Sequence, residues 1–163
     1  MTVALKTTVR PSALEAIESA LIGRLKEGMP GYCKVEGFPA DPDAYDFAGL
    51  DAACLVHYSG SQFAARKGPT TPNQTRRMNF STVVLARDLR GAKGAYGLLE
   101  TVRQLIQGEA FVGAGPAEIV RDELISETRG QWRWDVTFGL TMPAVAFDRQ
   151  RPAPFLPTPG QTL

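Results

Sequence analysis

The chain has 163 residues, 44% of them hydrophobic and 21% charged, with a net charge of +1. That composition suits one ordinary globular domain and excludes a disordered chain, while the near-neutral charge excludes bulk attraction to nucleic acid or an anionic membrane. No apolar run approaches the roughly 20 residues that cross a bilayer. The opening MTVALKTTVRPS has neither the apolar stretch nor the cleavage site of a secretory signal, so a chain made and folded in a cytoplasm is expected.

Residues 1–11 form an arm ending at Pro11. SALEAIESALIGRLKEG (12–28) predicts a helix: Ser12 and Glu15 make an S-x-x-E cap, and Gly28 followed by Pro30 stops it. Leu14, Ile17, Leu21 and Leu25, with Ile22 beside them, form its apolar stripe. YCKVEGF (32–38) is a short strand. PADPDAYDFAGLD (39–51) is a loop holding Asp41, Asp43, Asp46 and Asp51. AACLVHYSG (52–60) reads as a mostly buried strand, and residues 60–75 as a long polar insertion.

RRMNFSTVVLARD (76–88) is a strand with Met78, Phe80, Thr82, Val84 and Ala86 on one face. The turn LRGAKG leads into a second helix, AYGLLETVRQLIQG (95–108), with Leu98, Leu99, Val102, Leu105 and Ile106 inward and Gly108 as its stop. EAFVGAGPA (109–117) is expected to be a flexible connector, and EIVRDELISE (118–127) a weakly patterned strand turned by TRGQ. QWRWDVTFGLTMP (131–143) alternates strictly, with Trp132, Trp134, Val136, Phe138, Leu140 and Met142 on one parity. DRQRPAPFLPTPGQTL (148–163) is too proline-rich for a helix or central strand and reads as an extended tail.

The order α, β, β, β, α, β, β predicts an α+β fold: a mainly antiparallel β-sheet with two α-helices packed on one face, and extended N- and C-terminal arms. One domain covers 1–147 and the Pro-rich tail 148–163.

Chemistry is hard to find. His57 is the only histidine and stands three residues after Cys54, which on a strand puts the two on opposite faces and disfavours a nucleophile–base pair. Zinc would need more ligands than Cys33 can add. Cys33 and Cys54 could form one bridge, but their spacing does not demand it, and in a reducing compartment two thiols are expected. The aspartate loop lacks the glycine and terminal glutamate of a calcium loop, and GAGP (113–116) lacks the Lys-Ser or Lys-Thr of a phosphate cradle. No catalytic, metal or cofactor site is assigned.

Arg66 and Lys67, with Arg76 and Arg77, bracket the insertion, and together with Arg87, Arg90 and Lys93 they could form a basic rim. Solvated loop charge is the main reading of these residues, contact with an acidic neighbouring protein the next, and contact with nucleic-acid phosphates a distant third. The shared parity of the tryptophans with Val136 and Phe138 makes them core rather than a binding face, with Trp132 the one nearest exposure. Candidate interface residues are Arg66, Lys67, Arg76, Arg77, Arg129, Trp132, Arg133 and Phe155.

From VVLARDLRG into GAYGLLETVRQLIQG (94–108), the chain resembles the tail-terminator proteins of Mu-like contractile-tailed phages and prophages. LEAIESALIGRLKEGMPG (14–31) is similar to their opening helix and WRWDVTFGL (132–140) to their closing strand, so the resemblance covers 12–147. It implies the fold of the lambda-type tail terminators and a homo-hexameric ring. That ring would cap the tail tube and sheath, stop polymerisation and meet the head-side connector or neck protein. Genome DNA would pass through without sequence-specific binding, no membrane would be involved, and the site of action would be the tail–neck junction of the virion. The alternatives are a neck or head–tail connector protein and, from another class, a nucleic-acid-binding module using the 66–77 basic loop.

Overall fold

The structure is a computed structural model that describes residues 12–41, 45–47, 49–69 and 73–145. The N-terminal arm and the Pro-rich tail, with Phe155, lie outside the described residues. So does Asp43.

Helix α1 spans Ala13–Gly28. Ser12 caps it: its backbone is extended and its hydroxyl accepts from the Glu15 amide at 3.4 Å, satisfying one of the free N–H groups of the first turn. At the other end Met29 turns extended and donates to the Leu25 carbonyl at 2.8 Å, just before Pro30. Ile17, Leu21 and Leu25, four residues apart, share one face and are fully buried.

Five strands follow the expected order: β1 (Cys33–Gly37), β2 (Ala52–Phe63), β3 (Gln74–Ala86), then helix α2 (Ala95–Ile106), β4 (Glu118–Thr128) and β5 (Gln131–Ala144). They form one sheet in the order β1-β2-β3-β5-β4. Only β1 with β2 is parallel; the other neighbours are antiparallel. The fold is therefore α+β with a mainly antiparallel sheet.

The pairing of β3 with β5 organises the core. It matches Met78 with Leu140, Phe80 with Phe138 and Val84 with Trp134 without a register shift, so even-numbered side chains of both strands stand on one face. Phe80 and Phe138 stack with ring centroids 6.3 Å apart and planes 15° from parallel. The buried stripes of α1 and α2 (Ala95, Leu98, Leu99, Val102 and Ile106) close over them in one cluster. Trp134 packs against the edge of that cluster, but Trp132 lies outside it, half-buried near the turn.

Two local expectations change, and one loop holds a buried residue. The polar insertion is shorter than 60–75, because β2 runs on to Phe63 and β3 begins at Gln74. A bulge at Ser59, beside Gly60 at φ 136°, absorbs one residue and lets pairing resume.

The loop at 39–51 keeps its described aspartates, Asp41, Asp46 and Asp51, exposed, but Phe47 in it is buried. A parallel β1–β2 pair needs a long crossover, and that crossover returns over the opposite face of the sheet. There Phe47 is buried against Ala53, Leu55, Val83 and Leu85, with Phe38, Tyr45 and Leu50 around it. Arg87 clamps the loop by donating to the carbonyls of Leu50 (2.7 Å) and Phe47 (3.1 Å) while its guanidinium covers the Phe47 ring at 5.0 Å.

The 109–117 connector is pinned rather than flexible. Phe111, Ala114 and Ala117 are buried, Gly108 donates to Ala117, Ala117 to Glu109, and Gly115 to Thr141, each at 2.8 Å.

Replacing Phe138 by alanine should cost about 3–5 kcal/mol of unfolding free energy, because a rigid sheet under two helices collapses poorly into the space. Val145→Ala, at an exposed position, should stay within about 0.5 kcal/mol. Urea denaturation of both variants checks the pair.

Candidate assembly interface

Among the described residues strand β4 pairs only with β5, so one side of its backbone is an edge of the described sheet. EIVRDELISET carries two apolar doublets, Ile119-Val120 and Leu124-Ile125, that break a two-residue alternation. At each doublet the register shifts, with Val120 and Ile125 as the extra residues. The bulges throw Val120 (48% exposed) and Ile125 (48%) outward, while Leu124 (46%) stays in register beside Trp134. An edge strand of eleven residues with three half-exposed aliphatic side chains is the least protected element described.

Val120 and Ile125 border a shallow groove of about 550 Å³ on the face away from the helices, floored by the odd-numbered residues of β3 and β5. In its middle, Asp135 Oδ2 accepts from the Ser81 hydroxyl at 3.3 Å and from the Thr137 hydroxyl at 3.1 Å. Asp135 Oδ1, Asn79 Oδ1 and Arg133 Nε are enclosed yet have no hydrogen-bond partner among the described residues. Such groups cost about 1–3 kcal/mol each when left dry. Glu123 stands opposite Asp135 across the strands, an unfavourable like-charge pair, and the Arg121–Glu123 ion pair at 3.1 Å offsets it.

On the helix side, the Tyr96 ring meets Trp134 edge-on at 6.1 Å, with the Arg90 guanidinium 5.4 Å over Tyr96. The Trp134 indole N–H is enclosed without an acceptor among the described residues. Tyr96 (43% exposed), Leu124, Trp134 and Trp132 thus continue the β4 patch around the edge of the sheet.

The basic residues do not form one rim. Arg76 and Arg77 are adjacent on β3 and so face opposite ways. Arg76 Nε donates to the Ser61 hydroxyl at 2.8 Å and its guanidinium lies between the Tyr58 and Phe63 rings (5.9 and 5.6 Å). Arg77 pairs with Glu118 at 3.1 Å. Arg66 and Lys67 are exposed in the β2–β3 loop. Arg87, Arg90 and Lys93 sit past the other end of β3, about 30 Å away along a strand of this length. There Lys93 pairs with Asp51 at 2.8 Å and covers the Tyr32 ring at 5.3 Å. Arg129 occupies the β4–β5 turn with φ 53°, followed by Gly130 at 76°, the left-handed pair a two-residue hairpin turn requires. Arg133 lies over the Phe38 ring at 5.9 Å.

Of the candidate interface residues, only Arg133 borders the β4 groove, with Trp132 and Arg129 near its end. Val120, Leu124 and Ile125 were missed, although the two apolar doublets marked them.

Cys54 and His57 do fall on opposite faces: Cys54 is in the main core, and the His57 ring packs on Phe38 at 4.8 Å. Among the described residues no three His, Cys, Asp or Glu side chains cluster closely enough to hold a metal.

Two tyrosines are perturbed in opposite directions. The Ser61 hydroxyl, 2.7 Å away, holds Tyr58 below the ordinary phenol value with help from Arg76. Burial, reinforced by the Glu36 carboxylate, pushes Tyr45 up to about 12. A raised phenol favours the folded state fully below the unfolded value near 10, and that contribution is lost as pH rises towards 12. Phenolate absorbance should therefore show Tyr58 ionising well before Tyr45. Ser61→Ala should raise the early transition and leave the late one in place.

Among solved structures, a chain of the virion of the native gene transfer agent (GTA) particle is similar at a TM-score of 0.52 and 16% identity. The match covers 80% of this chain and 98% of that one, a likeness of fold. No curated protein matches the sequence. The family described as Gp37 protein matches residues 21–158, most of the length, and the chain belongs to that family.

Proposed function

We propose that the chain is a structural protein of a phage-like virion and acts as a tail terminator. It would assemble with itself into a homo-hexameric ring that caps the tail tube, stops its growth and offers a joining surface to the head-side connector. Two things support this reading: the 84–108 segment resembles tail terminators, and the fold is shared with a chain of a gene transfer agent virion.

The observation that carries it is the β4 edge. A lone domain gains nothing from an eleven-residue strand with Val120, Leu124 and Ile125 half-exposed beside an open groove. A chain that meets copies of itself gains a contact surface. β4 of one copy docking on a different surface of the next makes a heterologous contact, which closes into a ring when its rotation divides a full turn. The bulges shorten any run of ladder bonds with that neighbour, so side-chain docking rather than a long added strand would dominate. Arg66, Lys67, Arg129 and the tail with Phe155 then stand as contacts to further virion proteins. DNA crossing the ring would meet no sequence-reading surface.

Native mass spectrometry and negative-stain images of the purified chain at high concentration should show a six-membered ring. Val120→Lys with Ile125→Lys should give a folded monomer, since both positions are exposed. A wild-type chain that stays monomeric, alone and with tail tube, overturns the proposal. In an infected or induced cell, loss of the chain should yield overlong tails; tails of normal length that fail to join heads would instead make it a neck protein.

A further inference from the structure

Cys33 and Cys54 lie on the parallel neighbours β1 and β2, one on each, and both point into the core beneath α1. Their sulfurs are 3.5 Å apart and both are free thiols. The two differ in access. Cys54, in the middle of the sheet, is fully buried, whereas Cys33 begins the edge strand and keeps 7% of its surface. β1 has only five residues and, among the described residues, is paired on one side, so it opens more readily than the middle of the sheet.

We propose that Cys33 and Cys54 form a reversible, oxidisable pair that staples β1 to β2. The Cys33 thiolate attacks a low-molecular-weight disulfide such as glutathione disulfide. A mixed disulfide forms at Cys33 and one small thiol leaves with the proton. Cys54 then loses its proton and attacks Cys33 Sγ, forming the Cys33–Cys54 bond and releasing the second small thiol. The pair loses two electrons and two protons, and the small disulfide gains them.

The hydrogen bond between the two sulfurs holds the Cys33 thiol below its ordinary value, against the effect of burial, while that bond and burial hold Cys54 well above its own. The difference in access, with Cys33 at the sheet edge and Cys54 fully buried, suits an attacking and a resolving thiol. The staple closes the crossover loop that carries Phe47 and removes conformational freedom from the unfolded chain. A chain folded in a reducing compartment would gain the bond on reaching an oxidising one.

The folded full-length chain, incubated with glutathione disulfide, should lose two hydrogens in intact mass and both titratable thiols, with no dimer on a non-reducing gel. Its unfolding midpoint should rise and return to the starting value with reductant. Cys54→Ser should stop at one glutathione adduct on Cys33, and Cys33→Ser should acquire none. Retention of two free thiols in the wild type, reaction only under denaturing conditions, or an adduct on Cys54 overturns the proposal. None of these outcomes bears on ring assembly, so the two proposals fail separately.

Discussion

Everything in this fold depends on the uninterrupted pairing of β3 with β5. Thirteen residues of β3, Gln74–Ala86, run opposite Ala144–Trp132 with no bulge between them. Side chains alternate strictly, so a slip of one residue would carry Phe80, Phe138, Met78 and Leu140 to the other face. Because it does not slip, one face is apolar enough to hold both helices, and the opposite face keeps Asn79, Ser81, Asp135 and Thr137. The two strands on either side of this pair are where bulges are allowed: Ser59 in β2, and Val120 and Ile125 in β4.

That second face is then divided. The crossover demanded by the parallel β1–β2 pair folds over the end near Leu55, Val83 and Leu85 and gives it a small core of its own. Arg87 fixes this cover through two backbone carbonyls and the Phe47 ring. Among the described residues, the part over β5 and β4 has no such cover. Its floor is hydrogen-bonded within itself only in part, and its border is aliphatic. The proposed ring contact follows from this contrast.

Much of the architecture was legible in the sequence, since it is written in periodicity. The 3.6-residue stripe of α1, the capping Ser12 and the alternation of 131–143 each state their own structure. The opposed faces of Cys54 and His57 followed from counting by twos. What could not be read was set by partners distant in sequence. The parallel sense of β1 and the burial of Phe47 depend on where the crossover returns. The separation of Arg76 and Arg77 from Arg87 and Lys93 depends on strand length and facing, which a count of nearby charges conceals. Val120 and Ile125 were marked by apolar doublets, but a doublet becomes a bulge only when a regular partner such as β5 holds its own register. The proximity of Cys33 to Cys54 likewise comes from strand pairing, not from spacing.

Backbone amide exchange across β4, compared between dilute and assembled chain, tests the central claim most directly. The account predicts that amides of 119–126, together with the 129–134 end of the hairpin, become strongly protected on assembly while the helix-covered core changes little. Protection that appears instead over α1 or α2, with β4 exchanging as freely as before, would contradict it.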